Sequence, residues 1–189
     1  MIPNMAEPRH EHRVAEPVQL AKQSNPATGL CQNVRPLKQF DTKALQLIRD
    51  VHSDLLFVGN AWDARDLQLL YDKEIVAIVD LALNEKPAQL GRDMIYCRFP
   101  LNDGDGNPDS TIALSIKTIV SLIRCNVKTL VACSAGMSRA PTIAAASIAM
   151  LRNDEPDAYL AEIIRTGPND ISPILWSNIK RVYNDIRGT

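Results

Sequence analysis

The stretch from Lys128 to Leu151 constrains the fold of this chain more than any other part of the sequence. It begins with the apolar run Thr129 to Ala132, which is too short for a helix and contains the branched residues typical of a strand. A short polar segment follows, and then a run of small apolar residues begins at Ala140 and Pro141, where a proline suits the first turn of a helix. The pattern predicts a buried strand, a tight loop and a buried helix.

The loop between that strand and that helix carries Cys133 and Arg139. Gly136 permits the positive φ angle of a tight loop and lets the backbone come close to a ligand. The N–H groups of such a loop converge at the N-terminus of a helix, where the helix dipole favours anions and the thiolate form of a cysteine. The fork-shaped guanidinium of Arg139 can bind two oxygens of a tetrahedral oxyanion. These features predict an anion site in which a cysteine attacks phosphorus.

The segment Val131-Ala-Cys133-Ser-Ala-Gly-Met-Ser-Arg139-Ala-Pro-Thr142 resembles the signature loop of the cysteine-dependent protein tyrosine phosphatase superfamily, and within it of the dual-specificity phosphatase family. The similarity extends to the stretches 56–61, 99–103 and 170–173, so it covers roughly residues 50 to 187. The resemblance implies a hydrolase that dephosphorylates proteins at phosphotyrosine, phosphoserine or phosphothreonine through a cysteinyl-phosphate intermediate. In such a phosphatase Cys133 is the nucleophile, Arg139 binds the phosphate, and the residues between them cradle its oxygens: Ser134, Ala135, Gly136, Met137 and Ser138.

Two positions depart from the family's pattern. Ala132 stands where the family usually has a histidine, and Ala140 stands where it usually has serine or threonine. In the family these groups help to hold the thiolate and speed its departure, so a phosphate-binding module with weak turnover (a pseudophosphatase) is a second interpretation. A phosphatase of small-molecule or lipid phosphates is a third, although phosphatases that act on inositol lipids carry lysines in this loop and this chain has none there.

A general acid is expected because the departing alkoxide or phenoxide needs a proton, and a loop aspartate can supply it. The segment Leu101 to Asp109 contains two glycines, a proline and three aspartates, which predicts a surface loop. We favour Asp103, in the stretch that resembles the family's acid loop, and keep Asp105 as the alternative. The same carboxylate then serves as the base when water hydrolyses the intermediate. This chemistry requires neither a metal ion nor another cofactor.

The rest of the chain alternates between short apolar strands and amphipathic helices. Strands are predicted at 55–58, 75–82 and 94–99, and helices at 61–73, from 109 or 110 onward, from 154 to 167, and from 172 onward. This order predicts the α/β class: a single domain with a mostly parallel central sheet of four to five strands flanked by helices, as in phosphatases. Ligands of such sheets bind at the carboxyl ends of the strands, which places Cys133 and Asp103 at the same edge.

The N-terminal residues 1–40 differ from the rest, because they contain five prolines and little apolar periodicity. They are predicted to form an extended or disordered arm, followed by a phosphatase-like catalytic domain over residues 41–189 that starts with a short helix over 41–50. The net charge of −1 gives no electrostatic reason to expect binding to nucleic acid or membranes. The four cysteines show no CxxC spacing, and no apolar run reaches membrane-spanning length, so we expect a cytoplasmic protein. The sequence carries no signal for an oligomeric state.

Overall fold

The computed structural model describes residues 48–188. Within them lie five strands: β1 (Arg49–His52), β2 (Leu56–Asn60), β3 (Ala77–Asp80), β4 (Ile95–Arg98) and β5 (Thr129–Cys133). Five helices accompany the strands: α1 (Leu67–Asp72), α2 (Asp109–Arg124), α3 (Arg139–Arg152), α4 (Pro156–Arg165) and α5 (Pro173–Arg187). None of the helices in this part of the chain is both long enough and apolar enough to span a bilayer.

The strands form one sheet in the order β1-β2-β5-β3-β4. β5 is its central strand and runs parallel to β2 and β3, and β4 continues the parallel part beyond β3. β1 alone is antiparallel, paired with β2 at one edge. The predicted fold class, a mostly parallel sheet of four to five strands with flanking helices, is confirmed.

Both faces of the sheet are covered at β2, β3 and β5, which is why these three strands are buried along their length and largely apolar. All five residues of β5 are buried. Val131 and Cys133 belong to the larger core, which includes residues of α2, α3, α4 and α5, whereas Leu130 and Ala132 belong to the smaller core with Leu70 of α1. The helix predicted to be the buried one, α3, packs against α2, α4 and α5, as its small apolar residues require.

The start of the described region corrects one prediction. The arm predicted over residues 1–40 and most of the helix predicted over residues 41–50 lie outside the described residues. The last two residues of that predicted helix, Arg49 and Asp50, belong instead to β1 and pair with Val58 and Phe57 of β2. Pairing with an available sheet edge overrides the weak helical spacing of a short segment.

The helix predicted over residues 61–73 is divided in two. A 3₁₀ turn at Asp63–Arg65 precedes α1. Asn60 caps the turn, since its Oδ1 accepts from the N–H groups of Trp62 at 2.7 Å and Asp63 at 2.9 Å. Asp66 then caps α1, accepting from Leu69 N at 3.1 Å. Aspartate within a helical pattern competes for backbone N–H groups and favours a new cap over a continuous helix.

Candidate active site

The connection between β5 and α3 is a tight loop at the carboxyl edge of the sheet. We call Cys133–Arg139 the Cys–Arg loop. Gly136 has a φ of +73°, and a Cβ there would lie 2.9 Å from both the carbonyl carbon and the oxygen of Gly59 at the end of β2. The predicted need for glycine at this position therefore has two causes, a left-handed backbone and contact with a neighbouring strand.

Three carbonyl groups of the Cys–Arg loop accept hydrogen bonds from surrounding elements. Ser134 O accepts from Ala61 N at 3.4 Å, and Met137 O accepts from Asp170 N at 3.0 Å. Gly136 O accepts from Nη2 of Arg49 at 2.7 Å. Because the N–H of a planar trans peptide points opposite to its C=O, the N–H groups of the same peptides point away from these partners. This is the arrangement that an anion cradle needs.

Cys133 and Arg139 flank the loop and are both nearly buried. Cys133 is 1% exposed, and its thiol is free. Arg139 is 8% exposed; its Nη1 donates to Leu101 O at 3.1 Å, and its Nη2 donates to Ser134 Oγ at 2.6 Å. The Nε of Arg139 is buried and has no partner among residues 48–188. Nη1 also donates to Leu81 O at 3.5 Å, so three protein contacts fix the guanidinium while its Nε is left for an oxyanion.

The segment Leu101–Asp109, which we call the acid loop, contacts the Cys–Arg loop through Arg139 and through a side-chain pair, Ser138 and Asp103. Ser138 Oγ lies 2.5 Å from Oδ1 of Asp103, and the same Oγ accepts from the backbone N–H of Ser172 at 3.2 Å. Since the backbone N–H of Ser172 can only donate, the one hydroxyl proton of Ser138 goes to Asp103. Asp103 is itself exposed. The structure therefore brings Asp103 to the loop that carries Cys133 and Arg139.

Asp105, the alternative acid, has different partners. Its Oδ1 accepts from Gly106 N at 2.7 Å and from Nδ2 of Asn178 in α5 at 3.1 Å. It is exposed, and among residues 48–188 it makes no hydrogen bond to the Cys–Arg loop. Of the remaining predicted loop residues, Ala135 is exposed and Met137 is half-buried, and both are uncharged.

Glu85 borders the site, and sequence reasoning missed it. It lies in the connection after β3, where Arg98 donates to its carbonyl oxygen at 2.8 Å. The pKa of Glu85 is lowered, chiefly by a hydrogen bond with the Ser134 hydroxyl and further by the charges of Arg139 and Arg65. Its position after a parallel strand was the one available signal, and many residues share that position.

Arg49 is the second residue that sequence reasoning missed. Besides its bond to Gly136 O, its Nη1 donates to Pro168 O at 3.4 Å in the α4–α5 connection. Burial lowers the pKa of Arg49, and the nearby Cys133 thiolate raises it. The segment around Arg49 was predicted as a short helix, so the sequence pattern gave no signal for this role.

Comparison with known proteins reveals relatives in sequence and in fold. No family model matches the chain. Human dual specificity protein phosphatase 15 is 34% identical over 97 residues, which are 49% of this chain and 31% of that protein. The chain therefore matches less than a third of the length of this curated relative.

Solved structures extend the likeness over most of the described region. The crystal structure of DUSP15 matches with a TM-score of 0.64 and 25% identity, covering 75% of this chain and 92% of that one. Human DUSP28 matches in fold with a TM-score of 0.65 and 18% identity, covering 75% of this chain and 99% of that one. Fold and sequence together make this chain similar to the dual-specificity phosphatases of the protein tyrosine phosphatase superfamily.

Proposed function

We propose that this protein is a phosphatase that hydrolyses phosphomonoesters on proteins through a cysteinyl-phosphate intermediate. The observation that carries the proposal is the joining of the acid loop to the Cys–Arg loop. Ser138 binds Asp103 at 2.5 Å, while Arg139 at the end of the same loop binds Leu101 O at 3.1 Å. Nucleophile, cation and acid thus border one edge of the sheet, which is where α/β proteins bind ligands.

Each of the three residues has one role in the proposed reaction. The thiolate of Cys133 attacks phosphorus and forms the S–P bond, while the Nε of Arg139 and the loop N–H groups bind the non-bridging oxygens. Asp103 donates its proton to the leaving oxygen as the P–O bond breaks. Water then attacks the cysteinyl phosphate, Asp103 accepts a proton from that water, and the thiolate leaves.

The choice of Asp103 over Asp105 is supported by their partners. The carboxylate of Asp103 is attached to the loop that binds the phosphate, whereas Asp105 is attached to Asn178 of α5. A general acid must reach the leaving oxygen within hydrogen-bond distance. Asp103 is therefore the assigned acid.

The expected substrate is a singly phosphorylated side chain on a protein, with tyrosine, serine and threonine all as candidates. The side chains between Cys133 and Arg139 carry no charge, so no additional cation is present there for a second phosphate group. A lipid or small-molecule phosphate would therefore be the less suitable ligand. Because the reaction needs a reduced thiol at Cys133, we assign the protein to a reducing compartment such as the cytoplasm.

The test is hydrolysis of aryl phosphates from about pH 5 to about pH 8 by the wild type, Cys133→Ser and Asp103→Asn. Cys133→Ser should abolish turnover. Asp103→Asn should slow poor leaving groups by roughly 100-fold or more and affect good leaving groups little, because only poor ones need the proton. Equal rates of wild type and Cys133→Ser would refute the proposal, and an unchanged leaving-group dependence in Asp103→Asn would refute the acid assignment.

A phosphate-binding module with weak turnover is the second candidate function, and two buried alanines favour it. Ala132 and Ala140 are both fully buried, so neither position offers a polar group to the thiolate. In that case phosphate would transfer to Cys133 and hydrolyse slowly. A rapid burst of phenol equal to the enzyme concentration, followed by little steady turnover, would identify this candidate.

A further inference from the structure

Arg49 links the two connections that lie next to the nucleophile. Its Nη2 donates to Gly136 O at 2.7 Å, and its Nη1 donates to Pro168 O at 3.4 Å. A Cβ placed on Gly167 would lie 2.8 Å from Cδ of Arg49, so the stem of the side chain packs directly on that glycine. The guanidinium is therefore confined between the Cys–Arg loop and the α4–α5 connection.

The charge of Arg49 is not balanced by a carboxylate in the described contacts. Its Nε is buried with no partner among residues 48–188, and both of its recorded bonds go to neutral carbonyl oxygens. The neighbouring carboxylate of Asp50 accepts instead from the backbone N–H groups of His52 and Asp54. Burial lowers the pKa of Arg49, and a negative charge at Cys133 raises it.

Arg49 is half-buried and its Nε is buried, so its charge is partly removed from water and a nearby negative charge lowers that cost. Attraction between a thiolate and a guanidinium is mutual, and hence the arginine that gains from Cys133 also favours its ionised form. Ala132, directly before the nucleophile, contributes no charge. Arg49 belongs to β1, the edge strand that pairs with β2, and reaches Gly136 O from there.

We propose that Arg49 is a positioning residue that fixes the Cys–Arg loop through Gly136 and stabilises the thiolate of Cys133 by its charge. This inference rests on the proposed function, because it concerns the same nucleophile. The other charged residues at the loop are Arg139 from α3, Asp103 from the acid loop, Glu85 from the connection after β3 and Asp170 from the α4–α5 connection. All four are retained in sequence when only Arg49 is changed.

The experiment measures alkylation of Cys133 by neutral iodoacetamide across pH, resolved by mass spectrometry of the peptide that contains it. Arg49→Gln removes the charge and keeps an N–H donor, whereas Arg49→Lys keeps the charge. The pH of half-maximal alkylation rate should rise by about one unit in Arg49→Gln and stay near the wild-type value in Arg49→Lys. Arg124→Met, an exposed arginine at the end of α2, is the matched control for loss of one positive charge and should change nothing.

Thermal melts establish that the variants are folded. Overlapping profiles for wild type and Arg49→Gln would overturn the inference, and equal shifts in Arg49→Gln and Arg49→Lys would overturn the role of charge. Failure of the proposed function would be seen in the wild type alone. In that case iodoacetamide would alkylate Cys133 no faster at neutral pH than it alkylates the exposed Cys125, whatever the Arg49 variants do.

Discussion

Replacing Ser138 with alanine removes the contact through which the Cys–Arg loop holds the proposed acid. The hydroxyl accepts from Ser172 N at 3.2 Å and gives its proton to Asp103 across 2.5 Å. Ser138 is 3% exposed, so its hydroxyl is fixed while the exposed Asp103 depends on it for position. Ser138→Ala should therefore weaken the step that needs Asp103 and leave attack by the thiolate largely intact.

The magnitude follows from the kind of hydrogen bond that is lost. A hydrogen bond to a charged group contributes about 1.5–3 kcal/mol. Since Asp103 is exposed, water replaces part of that contact, and about 1 kcal/mol is the better value. This corresponds to a loss of roughly 5-fold in kcat/KM for substrates that need the acid.

The assay compares a series of aryl phosphates whose leaving groups differ in pKa. Ser138→Ala should slow the poor leaving groups by the full factor and the good ones by much less. In the Asp103→Asn background the same substitution should have no further effect on the leaving-group dependence, because the acid is already absent. Ser147→Ala removes a buried hydroxyl of α3 that binds Ile143 O at 2.7 Å, and it serves as the control. An equal slowing of all leaving groups by Ser138→Ala would refute the reasoning, since that result indicates a purely structural role.

Two further predictions concern stability and ionisation. Gly136→Ala should lower the free energy of unfolding by about 2 kcal/mol or more in a denaturant titration, because it forces a side chain into positive φ beside the backbone of Gly59. Gly104→Ala is the control and should lower it little, because the space around Gly104 is open. Similar losses in both variants would contradict the packing argument. Burial and the bond to Asp80 raise the pKa of Tyr96 from its ordinary value of about 10 to about 12. The folded state therefore favours the protonated phenol, and this contribution to stability is lost as the pH rises through about 12. A spectrophotometric titration of Tyr96→Phe should lack this late-ionising tyrosine, and an unchanged alkaline end of the curve would contradict the assignment.

The inner part of the sheet was predictable because β2, β3 and β5 lie in largely apolar runs. The sequence of β5 clearly predicts a strand buried on both faces, and Leu130 and Val131 do lie in the cores on opposite faces. β1 was not predictable, because Arg49–His52 contains two charged residues and is a strand only through pairing with β2. An edge strand of this kind takes its conformation from its neighbour and not from its own sequence.

The residues of the candidate site also fall into two groups, those close together in sequence and those that only the tertiary fold brings near. Cys133, Gly136 and Arg139 lie within one short segment, so their spacing alone shows that they meet. Arg49 reaches the loop from β1 and Glu85 from the connection after β3, and only the tertiary fold places these two residues beside it. The proposed nucleophile and its proposed phosphate-binding cation are therefore local features of the sequence, whereas the groups that surround them are not.

The hydroxyl groups of the Cys–Arg loop bear on the choice between the two proposed functions. The loop contains two serines, and the proton of Ser138 goes to Asp103. A hydroxyl has a single proton, so Ser138 cannot donate to a departing thiolate while that bond persists. Ala140, with its buried methyl group, offers no donor either. In the proposed reaction, the departure of the thiolate is therefore the step that separates an efficient phosphatase from a phosphate-binding module.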